Sequence, residues 1–109
     1  MARNQLTLSR YEADMVLLPD DAGNVSEAVR VTVFGLYFPQ RAVEPEIMVG
    51  DATALRVSVA PDQRSIRGFF RRPPADGGVI RVRYGDSQEG VLEGAFSRRN
   101  VRPLPRACG

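Results

Sequence analysis

The 109 residues contain no histidine, no lysine and no tryptophan, and a single cysteine, Cys108. Each gap removes a class of chemistry. Without histidine there is no imidazole base, no Ser–His or Cys–His pair and no histidine metal ligand. Without lysine there is no Schiff-base chemistry. One cysteine cannot form an intrachain disulfide, so a fold stapled by a Cys–Cys bridge is excluded. Apolar runs stop after a few residues, far short of a membrane span. Neither a phosphate-cradling Gly-Lys-Ser/Thr loop nor a dinucleotide-type glycine fingerprint occurs. No apolar stretch follows Met1–Gln5, which sets the expectation of cytoplasmic residence or of a particle assembled in the cytoplasm. The expectation is therefore a non-enzyme with no cofactor, no metal, no membrane and no small-molecule substrate.

Carboxylates are the remaining reactive groups. Asp20 with Asp21, Glu44 with Glu46, and Asp86 with Glu89 are close neighbours in sequence. A loop calcium site can be built from such oxygen ligands, but the spacing of a calcium-binding helix–loop–helix is absent. They read as groups that solubilise loops.

What is present suits one globular domain. Hydrophobic residues make up 43% and charged residues 26%, enough apolar material for a core at this length. All 15 basic residues are arginine, and the formal net charge is +2. An all-arginine cation set fits the codon bias of a GC-rich genome. It fits equally a selection for guanidinium forks that bind phosphate or carboxylate through two hydrogen bonds. The mild positive charge permits an acidic partner without requiring one.

Short runs of Val, Ile, Leu, Phe and Tyr are broken by Gly, Pro and Asp clusters, which predicts strands. The expected strands are 6–9, 13–18, 29–36, 46–49, 54–60, 65–70, 79–84, 91–96 and 100–104. Turns are expected at Pro19–Asn24, Gly50–Asp51 and Pro61–Gln63, a loop at Pro73–Gly78, and a hairpin loop over 85–90. Alternation places Leu55, Val57 and Val59 on one side, with Arg56 and Ser58 opposite. Ile80, Val82 and Tyr84 point inward and Arg81 and Arg83 outward; Leu92 and Phe96 point inward and Glu93 outward. Period-two strands at this spacing predict an antiparallel sandwich or barrel.

Four pieces in order, within residues 29–96, resemble the IPT/TIG family. Val31-Thr32-Val33-Phe34-Gly35-Leu36-Tyr37-Phe38 is similar to the family's V-T-I-x-G-x-x-F element. Val49-Gly50-Asp51 is similar to its V-x-V-G-G turn. Ser65-Ile66 followed by Phe70 and Pro73 resembles the s-I-x-x-x-x-P strand and stop, and Gly78-Val79-Ile80-Arg81-Val82 the G-x-x-x-V-x-V return. Of the family's S-P-x-x-G-P-x-x-G-G lead, only Leu18-Pro19-Asp20-Asp21-Ala22-Gly23 corresponds. The resemblance implies an all-β, immunoglobulin-like antiparallel sandwich of about seven to nine strands. By length the chain reads as one such domain over 1–109, with 1–28 an N-terminal strand extension and 98–109 an Arg/Pro-rich tail. Gly35 would permit a kink or a close backbone approach, Phe38 would plug the core beyond it, Gly50 would make the tight turn, and Pro73 would end pairing.

Two surface features depart from a plain sandwich. The family pattern is polar around its first glycine, whereas this chain carries Phe34, Leu36 and Tyr37 there. With Val31, Val33 and Gly35 facing the core, Phe34 and Leu36 face away, and Phe69 extends the face; clustered exposed apolar groups mark an interface. The competing reading is a second core layer under the N-terminal strands or the tail. The other feature is basic: Arg64, Arg67, Arg71 and Arg72 flank Phe69 and Phe70, Arg81 and Arg83 share a strand face, and Arg98 and Arg99, with Arg102 and Arg106, crowd the tail. Arginine beside aromatics suits phosphate binding and base stacking, ion pairing at a protein seam, or a solvated face neutralised by the 13 acidic residues.

The function expected first is a non-catalytic structural or protein-interaction module, a subunit or accessory of a larger bacterial or phage-like assembly, associating with itself or with a protein scaffold. Nucleic-acid binding through the arginine clusters is the alternative. A carbohydrate-binding accessory role ranks third, since sugar platforms favour exposed Trp and Tyr.

Overall fold

The structure, a computed structural model, describes residues 6–36, 38, 45–84, 88–92 and 94–104. The strands are β1 (Leu8–Pro19), β2 (Val25–Gly35), β3 (Glu46–Val49), β4 (Ala52–Thr53), β5 (Leu55–Val59), β6 (Ser65–Phe70), β7 (Ile80–Tyr84), β8 (Gln88–Leu92) and β9 (Val101–Arg102), with one 3-10 turn at Arg98–Asn100 before β9. They form a five-stranded sheet in the order β5-β6-β2-β1-β9 and a four-stranded sheet in the order β4-β3-β7-β8. All pairings are antiparallel except β1 with β9. There is no α-helix among the described residues, and no described helix is long and apolar enough to cross a membrane.

The inward residues of both sheets meet in one core. Val29, Val31, Val33, Ile66 and Phe70 come from the five-stranded sheet; Ile47, Val49, Ile80, Val82, Tyr84 and Leu92 come from the other. Phe38 and Phe96 fill the space between them from outside any strand, and both are fully buried. This is the burial expected of Phe38, Phe96, Ile80, Val82, Tyr84 and Leu92. Glu93 lies outside the described residues. Burying such side chains is the main force holding the sheets together, at roughly 1.5–3 kcal/mol for each large apolar group.

Where elements differ from the sequence expectation, the cause is local. Residues 6–9 and 13–18 were expected as separate strands, but β1 runs unbroken through Arg10, Tyr11 and Glu12, because polar residues there alternate onto the solvent face. It pairs with β2 from Leu8–Gly35 to Pro19–Val25. β2 thus begins at Val25, before the expected start at Val29. The hairpin turn is fixed by Asp20, whose Oδ1 accepts hydrogen bonds from the backbone N–H of Ala22 and Asn24, both at 2.9 Å. Gln88–Gly90, expected in a loop, belong to β8; residues 85–87 lie outside the described residues. The strand expected over 91–96 stops at Leu92, and Phe96 is held instead by backbone bonds to Gly77 and Gly78. The expected 100–104 strand shortens to the two residues of β9.

Leu55 corrects the face assignment. The register slips between Leu55 and Ser58, and Arg56 takes a φ of 52°. This bulge inserts one extra residue. Val57 and Val59 still pack on the core, but Leu55 pairs opposite Phe69, turns outward and is 46% exposed.

Gly35 acts by close approach. A Cβ there would collide with the Thr7 carbonyl oxygen and the Phe38 ring. Gly50 makes the tight turn after β3 with a φ of 58°, a conformation that disfavours other side chains.

The outer face of the five-stranded sheet

The alternation that buries Val29, Val31 and Val33 turns Arg30, Thr32 and Phe34 outward. On β1 it turns out Arg10, Glu12 and Asp14; on β6, Ser65, Arg67 and Phe69. Directly opposed residues share a face, so the register defines rows across the sheet. Asp14 lies opposite Arg30, which lies opposite Phe69, which lies opposite Leu55. Glu12 lies opposite Thr32, which lies opposite Arg67, which lies opposite Ser58. Arg10 lies opposite Phe34, which lies opposite Ser65.

One side of this face is an ion-pair ladder. Arg10 bonds Glu12. Arg102 bridges the two acids, at 3.2 Å to Glu12 Oε1 and, through its Nε, at 2.6 Å to Asp14 Oδ1. Arg30 reaches Asp14 Oδ2 at 3.3 Å. The hydrogen bond from Arg10 is the main reason the Glu12 carboxyl sits below its ordinary value, with the charges of Arg10 and Arg102 adding to it against a partial desolvation. The hydrogen bond to Asp14 likewise raises Arg102.

Beyond the ladder is a shallow depression of about 240 Å³, lined by ladder residues and by Thr32, Ser58, Ser65 and Arg67. Among the described residues, the Arg67 guanidinium and the hydroxyls of Thr32, Ser58 and Ser65 make no hydrogen bond or ion pair. Apolar groups stand at both ends. Phe34 is half-buried under the Arg10 guanidinium, 3.9 Å from the ring centroid, in cation–π geometry; Leu36, just past the end of β2, is 76% exposed. At the other end are Phe69, half-buried, and Leu55.

Of the interface candidates, Phe34 and Phe69 thus share one face and Leu36 borders it, whereas Tyr37 lies outside the described residues. The arginine candidates do not form one patch. Arg67 is on this face. Arg81 and Arg83 are on the outer face of the other sheet, where Arg83 pairs with Glu46 at 3.0 Å. Arg71 is bonded across the hairpin to the Leu18 and Pro19 carbonyls and the Ser26 hydroxyl. Arg98 is fastened to the Pro73 and Pro74 carbonyls, with its backbone N–H on Asp76. Arg64, Arg72 and Arg99 are exposed on turns. Nothing in the sequence pattern marks Glu12, Asp14, Arg30 and Thr32 as part of a site. Of the loop acids, Asp20 is occupied by its own turn and Glu46 by Arg83; no group of three or more potential metal ligands forms among the described residues.

No family model, curated protein or solved structure matches the chain.

Proposed function

We propose that this chain is a non-catalytic immunoglobulin-like module, a subunit or accessory of a larger bacterial or phage-like assembly, that docks a protein partner with the outer face of its five-stranded sheet. The strand order supports the fold assignment. β1, β2, β6 and β5 fall in one sheet and β3, β4, β7 and β8 in the other, the distribution by which immunoglobulin domains separate strands A, B, E and D from C, F and G. The motif likeness of 31–38 to IPT/TIG domains points the same way, while the parallel β9 is an addition to that plan.

The observation that carries the docking role is the composition of the outer face. No other element among the described residues covers it, and Phe34, Leu55 and Phe69, with Leu36 at the border, stand around a polar centre. Apolar anchors about a few polar groups are the usual anatomy of a protein interface. Nucleic-acid binding is less well supported, because the arginines are divided between two sheet faces and two structural anchorages, and a polyanion needs a continuous cationic track.

The test is sedimentation of the tagged chain from extracts of its host. The wild type is expected to travel with a large complex at high salt, and Leu36→Asp with Phe69→Asp is expected to travel as a folded free chain of 12.0 kDa. If the variant, folded by circular dichroism, travels with the complex as the wild type does, or if the wild type itself travels free, the reading is wrong.

A further inference from the structure

We propose that the depression around Arg67 receives a single carboxylate side chain from the protein partner, fixing the partner's position on the sheet. This rests on the reading of the outer face as a docking surface and names the chemistry at its centre.

The donors are arranged for an oxyanion. Register places Arg67 between Thr32 and Ser58 on the neighbouring strands, with Ser65 two residues along β6. All four side chains line the same depression. A guanidinium and three hydroxyls, none of them engaged within the described chain, offer several converging N–H and O–H groups. Charge-assisted bonds from a guanidinium to a carboxylate are the stronger kind. The nearby acids do not neutralise Arg67, since Glu12 and Asp14 are already shared among Arg10, Arg30 and Arg102. Four guanidinium groups therefore face two carboxylates, leaving room for a further negative charge.

The surroundings limit that charge to one isolated group on a mostly uncharged carrier. Glu12 is two strands from Arg67, roughly 10 Å at ordinary strand spacing. A second phosphate reaching that way would meet Glu12 and Asp14. Toward either end of the face it would meet Phe34 or the Phe69–Leu55 pair. A glutamate or aspartate flanked by apolar side chains matches every part of this pattern: its carboxylate over Arg67, its neighbours on the aromatic groups.

The test is an NMR titration of the isotope-labelled full chain. The probe is a capped peptide with one glutamate between leucines. Controls are the same peptide with glutamine, inorganic phosphate, and a single-stranded DNA oligonucleotide. The glutamate peptide is expected to shift the amides of Thr32, Ser58 and Arg67 and the Arg67 Nε–H, with a Kd on the order of millimolar, as suits one small exposed contact. Arg67→Gln is expected to weaken it about tenfold, and the glutamine peptide to leave the same signals unmoved. Equal shifts with both peptides, no shifts, an unchanged affinity in Arg67→Gln, or tighter binding at this place by phosphate or the oligonucleotide would each overturn the proposal. In the sedimentation assay, Arg67→Gln separates this inference from the reading beneath it. Release of the partner by the Leu36/Phe69 variant but not by Arg67→Gln removes the carboxylate site and leaves the docking face standing. Retention by both removes the two together.

Discussion

The ring of Tyr11 on β1 lies 5.7 Å from the ring of Phe96, and its hydroxyl accepts hydrogen bonds from the backbone N–H of Ser97 at 3.0 Å and from the Asn100 side-chain amide at 2.9 Å. One side chain of the first strand thereby holds the segment that leads into β9. Tyr11→Phe keeps the ring packing and leaves those donors without this acceptor. Losing such bonds costs about 1–2 kcal/mol, or a fall in Tm of roughly 4–8 °C for each kcal/mol in a domain near this size. Amide exchange should quicken at Ser97–Arg102 more than in β7; thermal unfolding and hydrogen exchange check both. An unchanged Tm would mean that the hydroxyl contributes nothing beyond what water supplies.

At Gly35 the chain is squeezed from two sides. Its N–H donates to the Arg64 carbonyl at 3.0 Å, and the N–H of Leu36 donates to the Thr7 carbonyl at 3.1 Å. The obstacle to a side chain is thus partly backbone and cannot swing aside. Gly35→Ala should destabilise by about 1–3 kcal/mol, the range for overpacking a tight site, whereas the same change at exposed Gly77, which meets nothing nearby, lacks that clash and carries only the strain of its positive φ. Chemical denaturation of Gly35→Ala decides it; a midpoint equal to wild type would contradict the geometry.

Glu12 makes stability depend on pH in a defined direction. Its folded value is held below the ordinary 4.5, chiefly by the hydrogen bond from Arg10. A carboxyl depressed on folding lends stability above its unfolded value and loses it as pH falls through the folded one. The stability difference between wild type and Glu12→Gln should therefore be level at neutral pH and shrink below about pH 4.5. Glu12 and its partners Arg10 and Arg102 are open to solvent, so the difference should be small and should diminish in concentrated salt. Denaturation midpoints measured across pH at low and high salt test this; a difference that grows on acidification would refute it.

The β1–β2 hairpin outruns the rest of its sheet. β6 pairs with β2 only over Val29–Phe34, so the backbone of Val25–Ala28 pairs with β1 alone, Arg71 adding a side-chain bond to Ser26, and Leu17 and Val25 near the tip are each 59% exposed. A two-stranded projection with apolar groups in water is weakly held. Amides at 25–28 should exchange faster than those at 29–33. Uniform protection along β2 would show that the projection is covered in solution.

The sequence discloses the core more readily than the face. Ile80, Val82 and Tyr84 alternate with arginines, and Val31 and Val33 with Thr32 and Phe34, because each strand has one dry side and one wet side; that periodicity survives in the residues alone. The bulge at Arg56 left no such trace, since arginine is not a turn former, and it was enough to send Leu55 outward. Alternation alone divides β1 in two because Arg10, Tyr11 and Glu12 break the apolar pattern, although two of them simply occupy the wet side. The ladder is hidden for another reason. Arg102 and Asp14 are 88 residues apart, and only the parallel pairing of β9 with β1 brings them together. Phe34 and Phe69 could be placed on a common side by alternation, but the depression between them depends on the register of five strands.

That same separation bears on how the molecule is made. β1 is made 88 residues before the arginine that joins its two acids. Until residue 102 emerges, one margin of β1 is bare and Asp14 has only Arg30 to answer it. Until then the edge of β1 is open to sideways pairing with other chains, and the arrival of β9 covers it at Ala13 and Asp14.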